Sequence, residues 1–149
     1  MKIVMTPNPY RDKQFRVAEQ AKNILEQEGV TVRMCLPFEV DRNYELPQHL
    51  HFSDLRKELR DAQMLICFGG DGTILHASKF ATAHRIPVLG VNIGTMGFIA
   101  ELESGELELL RKIPKGDYTL EPRSMLDVRV TNAAQTLYRE TALNDVVIT

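Results

Sequence analysis

The stretch Met64-Leu65-Ile66-Cys67-Phe68-Gly69-Gly70-Asp71-Gly72-Thr73 decides how the rest of this chain is read. Its apolar first half reads as a buried strand, and Ile74, Leu75, Ala77, Ser78, Phe80 and Ala81 recur behind it at helical spacing. The order is therefore strand, glycine turn, helix. Such a turn aims backbone N–H groups at the space above the strand end, and the helix adds the positive end of its dipole. Phosphate is the ligand that suits it.

Two familiar phosphate loops do not fit. The dinucleotide fingerprint G-x-G-x-x-G is met by Gly70 and Gly72, but Leu75 stands where the third glycine would pack. A P-loop needs Lys and then Ser or Thr after its last glycine, whereas Gly72 is followed by Thr73 and Ile74. What remains is Asp71, whose charge repels a phosphate at close range unless a metal ion, a proton or a transferring hydroxyl lies between them. That points to phosphoryl transfer. A carboxylate within reach of an acceptor hydroxyl takes its proton as the oxygen attacks a γ-phosphate, and flanking glycines let a nucleotide approach the backbone. The competing reading makes Asp71 an Asx residue bonded to its own turn, with the glycines there for positive φ.

At 149 residues the chain has room for one domain with a real core, or for one domain and a piece of another, and the second arrangement is expected. A formal net charge of -2, no long basic run and few aromatics give no expectation of a nucleic-acid surface. No apolar run approaches the roughly 18 residues of a membrane span, and residues 1–5 read as a strand rather than a signal peptide. A cytoplasmic protein with no membrane partner is expected. Cys35 and Cys67 lack a CxxC spacing and read as reduced core residues. His49, His51, His76 and His84 lack the spacing of ligands on one helix face, so no metal-ligating residue is assigned. His76, in the first turn of the helix, is placed to reach a ligand phosphate.

Along the chain the pattern predicts a strand over 2–5, a helix from about 11 to 27, a stop at Gly29 and a strand over 30–35, a βαβ opening. Asn8 and Pro9 fall at the carboxyl end of the first strand, the ligand edge of open α/β sheets, although turn chemistry is the better account of them. Residues 36–51 show no period and read as a surface excursion or flap. Ser53 is expected to cap a short helix over 54–62. After the glycine turn and a helix over 74–84, residues 87–92 give another buried strand, ending in a second special loop, Gly94-Thr95-Met96-Gly97-Phe98. Two successive strand ends then carry glycine loops on one edge of a parallel sheet, which suggests one shared crevice. Ser104 is expected to cap a helix through about 111, with Leu107, Leu110 and Ile113 on one face. The period then turns to alternation over 125–130, 137–143 and 146–148, which reads as antiparallel strands. The fold class expected is α/β: a Rossmann-like parallel sheet with flanking helices over residues 1–119, followed over 120–149 by the first strands of an incomplete all-β domain.

With these residues placed, the chain resembles bacterial NAD kinases over its whole length. The carriers are Gly69, Gly70, Asp71, Gly72 and Thr73; then Gly90 to Phe98 through Val91, Asn92, Ile93, Gly94, Thr95, Met96 and Gly97; then Leu143, Asn144, Asp145, Val146, Val147 and Ile148. The first motif is similar to glycine-Asp-glycine turns of diacylglycerol and sphingosine kinases and of 6-phosphofructokinases. The second, with its G-x-x-G-F ending, decides for NAD kinases. The resemblance implies phosphoryl transfer from ATP or polyphosphate, with magnesium or another divalent metal ion, to the adenosine ribose 2′-hydroxyl of NAD, giving NADP. It implies Asp71 as proton acceptor. Gly69, Gly70, Asp71, Gly72, Thr73, His76, Asn92, Gly94, Phe98, Asn144 and Asp145 would form the cofactor-binding set, with Phe98 lining the pocket and His76 a basic contact. The family more often has Glu at the position of Asp145, so that carboxylate is one methylene shorter here. It also implies a β-rich half running beyond Thr149 and assembly as dimers or tetramers, so residues 1–149 alone are expected to have little kinase activity. The rival readings are a lipid kinase built on the same turn and a dinucleotide-binding module in which Asp71 holds a ribose hydroxyl without chemistry.

Overall fold

The computed structural model describes residues 1–94, 97–143 and 146. They fall into two compact units, Met1–Thr119 and Leu120–Thr149.

In the first unit the strands are β1 (Lys2–Pro7), β2 (Thr31–Cys35), β3 (Phe52–Ser53), β4 (Met64–Gly69), β5 (Val88–Asn92) and β6 (Leu102–Glu103), and the helices are α1 (Arg16–Gln27), α2 (Leu55–Glu58) and α3 (Asp71–His84). The strands form one sheet in the order β3-β2-β1-β4-β5-β6, parallel at every pairing. Both faces are covered, which is why the central strands read as unbroken apolar runs rather than alternating ones: all six residues of β4 are buried. Alternation survives as a division between two cores. Ile3, Met5, Met64, Ile66 and Phe68 pack with α1 residues Ala18, Ala21, Ile24 and Leu25, while Val4, Leu65 and Cys67 pack with Ile74, Ala77 and Ala81 of α3 on the other face.

Several boundaries differ from the expected ones, each for a local reason. α1 begins at Arg16, not near residue 11, because Gln14 and Phe15 are both left-handed (φ 55° and 58°) and break the ladder after a 3-10 turn over Lys13–Phe15. The buried Asp12 carboxylate crosses that kink and accepts from the amides of Val17 and Ala18 at 3.0 and 2.9 Å. Asp54, not Ser53, caps α2, accepting from the Lys57 amide at 2.9 Å, and Ser53 lies in β3. The helix expected after Ser104 is a 3-10 helix over Leu107–Lys115, entered from Glu106 and ended at Gly116 with φ +69°. Leu107, Leu110 and Ile113 recur every three residues, the period of a 3-10 helix, and all three are buried against α1 and the sheet.

In the second unit β7 (Leu126–Thr131) and β8 (Thr136–Ala142) pair antiparallel around Asn132, whose side chain accepts from the amides of Ala134 and Gln135. The expected strand over 146–148 lies, apart from Val146, outside the described residues.

Candidate functional site

The strand order 3-2-1-4-5-6 places a topological switch point between β1 and β4: the chain leaves β1 toward β2 on one side and returns to β4 on the other. Outside the carboxyl ends of these strands lie the Asn8 loop, the first glycine turn and the loop after β5. The first turn is tighter than the sequence reading had it. α3 starts at Asp71 rather than Ile74, so Asp71, Gly72 and Thr73 are themselves its first turn, with Gly70 as N-cap and the Gly70 carbonyl accepting from Thr73 and Ile74. An acid in this turn is favoured by the helix dipole.

The glycines of this turn are there for space, not for positive φ, which among described glycines belongs to Gly29, Gly94 and Gly116. A Cβ on Gly69 would stand 2.5 Å from Thr73 Oγ1 and 3.2 Å from the Asn8 Cβ, whereas one on Gly70 or Gly72 would meet nothing within 4 Å. The backbone at Gly70 and Gly72 is thus open to a ligand. The close packing of helix on strand, for which Leu75 lacks the glycine, is provided from the opposite partner: Gly90 of β5 admits Ile74, whose Cδ1 lies 2.5 Å from the place of its absent Cβ.

Asp71 does not bond its own turn. Its Oδ2 accepts from the Phe98 amide at 2.9 Å and its Oδ1 from the Ile99 amide at 3.2 Å, so the carboxylate joins the two glycine loops across 27 and 28 residues of sequence. Gly97 lies against it, with the place of its absent Cβ 2.3 Å from Oδ1 and 2.9 Å from Cγ. A carboxylate has about four lone-pair positions, and donors among the described residues take two of them.

The other expected site residues divide. Thr73 is buried and its hydroxyl accepts from Asn8 Nδ2 at 2.9 Å, while the Asn8 amide bonds the Phe68 carbonyl at 2.8 Å. His76 is exposed and stands edge-on to Phe38 at 6.3 Å and Phe80 at 5.4 Å, which brings the 36–51 excursion to the start of α3. Asn92 is buried at the end of β5; its Nδ2 donates to both Glu103 oxygens, and its Oδ1 has no partner among the described residues. Gly94 takes φ +109° with Arg11 Nη1 beside it, and the Phe98 ring is fully exposed. Thr95, Met96, Asn144 and Asp145 lie outside the described residues. Sequence reasoning gave no site role to Asn8, Arg11 or Gly97. Of these Asn8, at a strand's carboxyl end, and Gly97, in the second glycine loop, carried a signal, and Arg11 carried none.

Burial pushes the Cys35 and Cys67 thiols up to about 12, so both stay protonated and inert, as core cysteines do. A cleft of about 780 Å³ lies along Arg16, Glu19 and residues 45–49 and includes none of the described residues of either glycine loop.

A parallel sheet in this order, with an acid-bearing glycine turn at its switch point, defines a Rossmann-like α/β domain. Residues 3–118 match the family model described as the ATP-NAD kinase N-terminal domain, and the chain belongs to the NAD kinase family. It is 34% identical over 152 aligned positions to the NAD kinase of Corynebacterium diphtheriae, covering 99% of this chain and 48% of that protein. It is 41% identical over 102 positions to the NAD kinase of Heliobacterium modesticaldum, covering 68% of this chain and 36% of that one. The chain thus spans about half or less of the length of these relatives. The crystal structure of yeast NADH kinase complexed with NADH superimposes with a TM-score of 0.70 over 95% of this chain and 46% of that chain, at 17% identity, a likeness of fold. Among the described residues no helix is long and apolar enough to cross a membrane.

Proposed function

We propose that this chain is the amino-terminal part of an NAD kinase that moves the γ-phosphoryl group of ATP, or a terminal phosphoryl group of polyphosphate, to the 2′-hydroxyl of the adenosine ribose of NAD. The ribose oxygen forms a bond to phosphorus as the bond to the bridging oxygen of the donor breaks, and the hydroxyl proton passes to Asp71. The products are NADP and ADP, or NADP and a polyphosphate one unit shorter. The observation that carries this reading is a carboxylate at the first turn of α3, beside the open backbone of Gly70 and Gly72, in a chain of this family.

Among the described residues no three His, Cys, Asp or Glu groups are arranged to hold a metal. A divalent ion is proposed to arrive with the donor, as Mg·ATP on the phosphates. Gly69, Gly70, Gly72, His76, Asn92, Gly94, Phe98, Asn144 and Asp145 are proposed as the dinucleotide-contacting set, with Thr73 acting through its hydrogen bond to Asn8. Residues 120–149 are proposed as the opening strands of a β-rich domain, in a cytoplasmic homo-oligomer.

The test is NADP formation from NAD and ATP with magnesium by the full-length protein carrying this chain, beside its Asp71→Asn variant. Removing the proton acceptor is expected to lower kcat by about 10²–10⁴. A variant within tenfold of wild type overturns the proton-acceptor role, and a wild-type protein that makes no NADP overturns the reaction.

A further inference from the structure

We propose that Gly97 is a positioning residue for Asp71: the loop after β5 holds the carboxylate in its working orientation, and only a residue without a side chain at 97 lets it in. The inference rests on the kinase reading for its activity readout, but the clamp itself is argued from geometry alone.

A carboxylate on a single-bonded side chain rotates about χ1 and χ2, and in the first turn of a helix it has solvent on one side. Asp71 is fixed by two donors that belong to another strand end, the amides of Phe98 and Ile99, one on each oxygen. Each bond fixes one oxygen, so together they set the carboxylate plane. This spends two of the roughly four lone-pair positions of the carboxylate, and the others are assigned to the hydroxyl in this proposal. The same contact sets the space available at residue 97. A Cβ there would lie 2.3 Å from Oδ1, 2.9 Å from Cγ and 3.3 Å from Oδ2, so any side chain forces the loop and the acid apart. The missing side chain of Gly97 answers to Asp71.

The clamp also couples two functions of the loop. Phe98 has its ring wholly exposed and its amide on Asp71, so the group proposed to line the dinucleotide pocket and the group that orients the acid are one residue. A dinucleotide that shifts the Phe98 backbone shifts a donor of the carboxylate with it. Displacement of a reacting group by about 1 Å costs on the order of 10² in rate, which is the size of effect a lost clamp should have.

Two measurements on the full-length protein decide it. Gly97→Ala is expected to lower kcat about tenfold or more while the KM values for NAD and ATP stay within about threefold, the pattern of an interaction that matters in the transition state. Gly105→Ala, whose added Cβ meets nothing within 4 Å, keeps wild-type kinetics. Amide hydrogen exchange supplies the second readout, independent of turnover. The Phe98 amide, on a fully exposed residue, is expected to be protected in the wild type and to exchange freely in Asp71→Ala, with Ile99 following it. A Gly97→Ala enzyme with wild-type kcat, or one whose KM alone rises, overturns the positioning role, and a freely exchanging Phe98 amide in the wild type overturns the clamp. If the wild type makes no NADP, the kinase reading falls, and the exchange data still decide the clamp.

Discussion

The glycines of the first loop have unequal steric duties, and substitution should separate them. At Gly69 a methyl group would press on Thr73 and Asn8, which hold each other by a hydrogen bond, so Gly69→Ala is expected to cost about 1–3 kcal/mol, read as a lower urea midpoint. Gly72 sits in the first turn of α3 with open space beside it. Gly72→Ala is expected to stabilise the fold by about 0.5–1 kcal/mol, since alanine is the better helix former, and at the same time to weaken NAD binding by placing a methyl group on the approach face. A Gly72→Ala protein with wild-type affinity in calorimetry would remove this glycine from the binding surface. At this scale Asp71 was legible because an acid among glycines between strand and helix has few structural uses. Its partners were not legible, since the Phe98 and Ile99 amides belong to another strand end and no local pattern encodes their distance.

Helices and strands were readable wherever burial sets the period, and misread where backbone detail does. The run 64–68 announced β4 because a strand covered on both faces has no polar side to show. The start of α1 was missed because its first amides are held by Asp12, reaching over two left-handed residues that side-chain chemistry does not betray. The 107–115 segment carried its own answer in a strict spacing of three, which an α-helical template absorbs without complaint. That segment is tied to the end of α1 by Arg111, which donates to Glu28 at 2.8 Å and to Gln27 at 2.9 Å. The Arg111 hydrogen bond, aided by the Lys115 charge, holds the Glu28 carboxyl below its ordinary 4.5. A depressed folded value means the contribution is present above pH 4.5 and is lost as pH falls through the folded value. Arg111→Gln is therefore expected to destabilise the protein at neutral pH, with the gap from wild type closing in acid. Urea midpoints from neutral pH down to about pH 3 check it, and a gap independent of pH would show that the pair contributes through packing alone.

Across the molecule the two hydrophobic cores lie wholly within residues 1–119. The β7–β8 ribbon keeps Leu126, Val130, Leu137 and Tyr138 about half exposed. Residues 1–119 expressed alone are accordingly expected to unfold cooperatively with the same urea midpoint as residues 1–149, and a large drop would mean the ribbon is part of the first unit's stability. The sheet order was only partly legible: the strands and their parallel sense followed from the pattern, whereas the two-residue edge strands β3 and β6 are too short to leave one. Leu65, fully buried in the central strand, should cost about 2–5 kcal/mol when cut to alanine. The chain has no tryptophan to report such losses by fluorescence, but it holds two sulfhydryls, both sealed in the layer between the sheet and α2–α3. An alkylating reagent can find neither until that layer parts, so the rate of cysteine labelling is a clock for opening, one that a 2 kcal/mol loss should speed by about 30-fold.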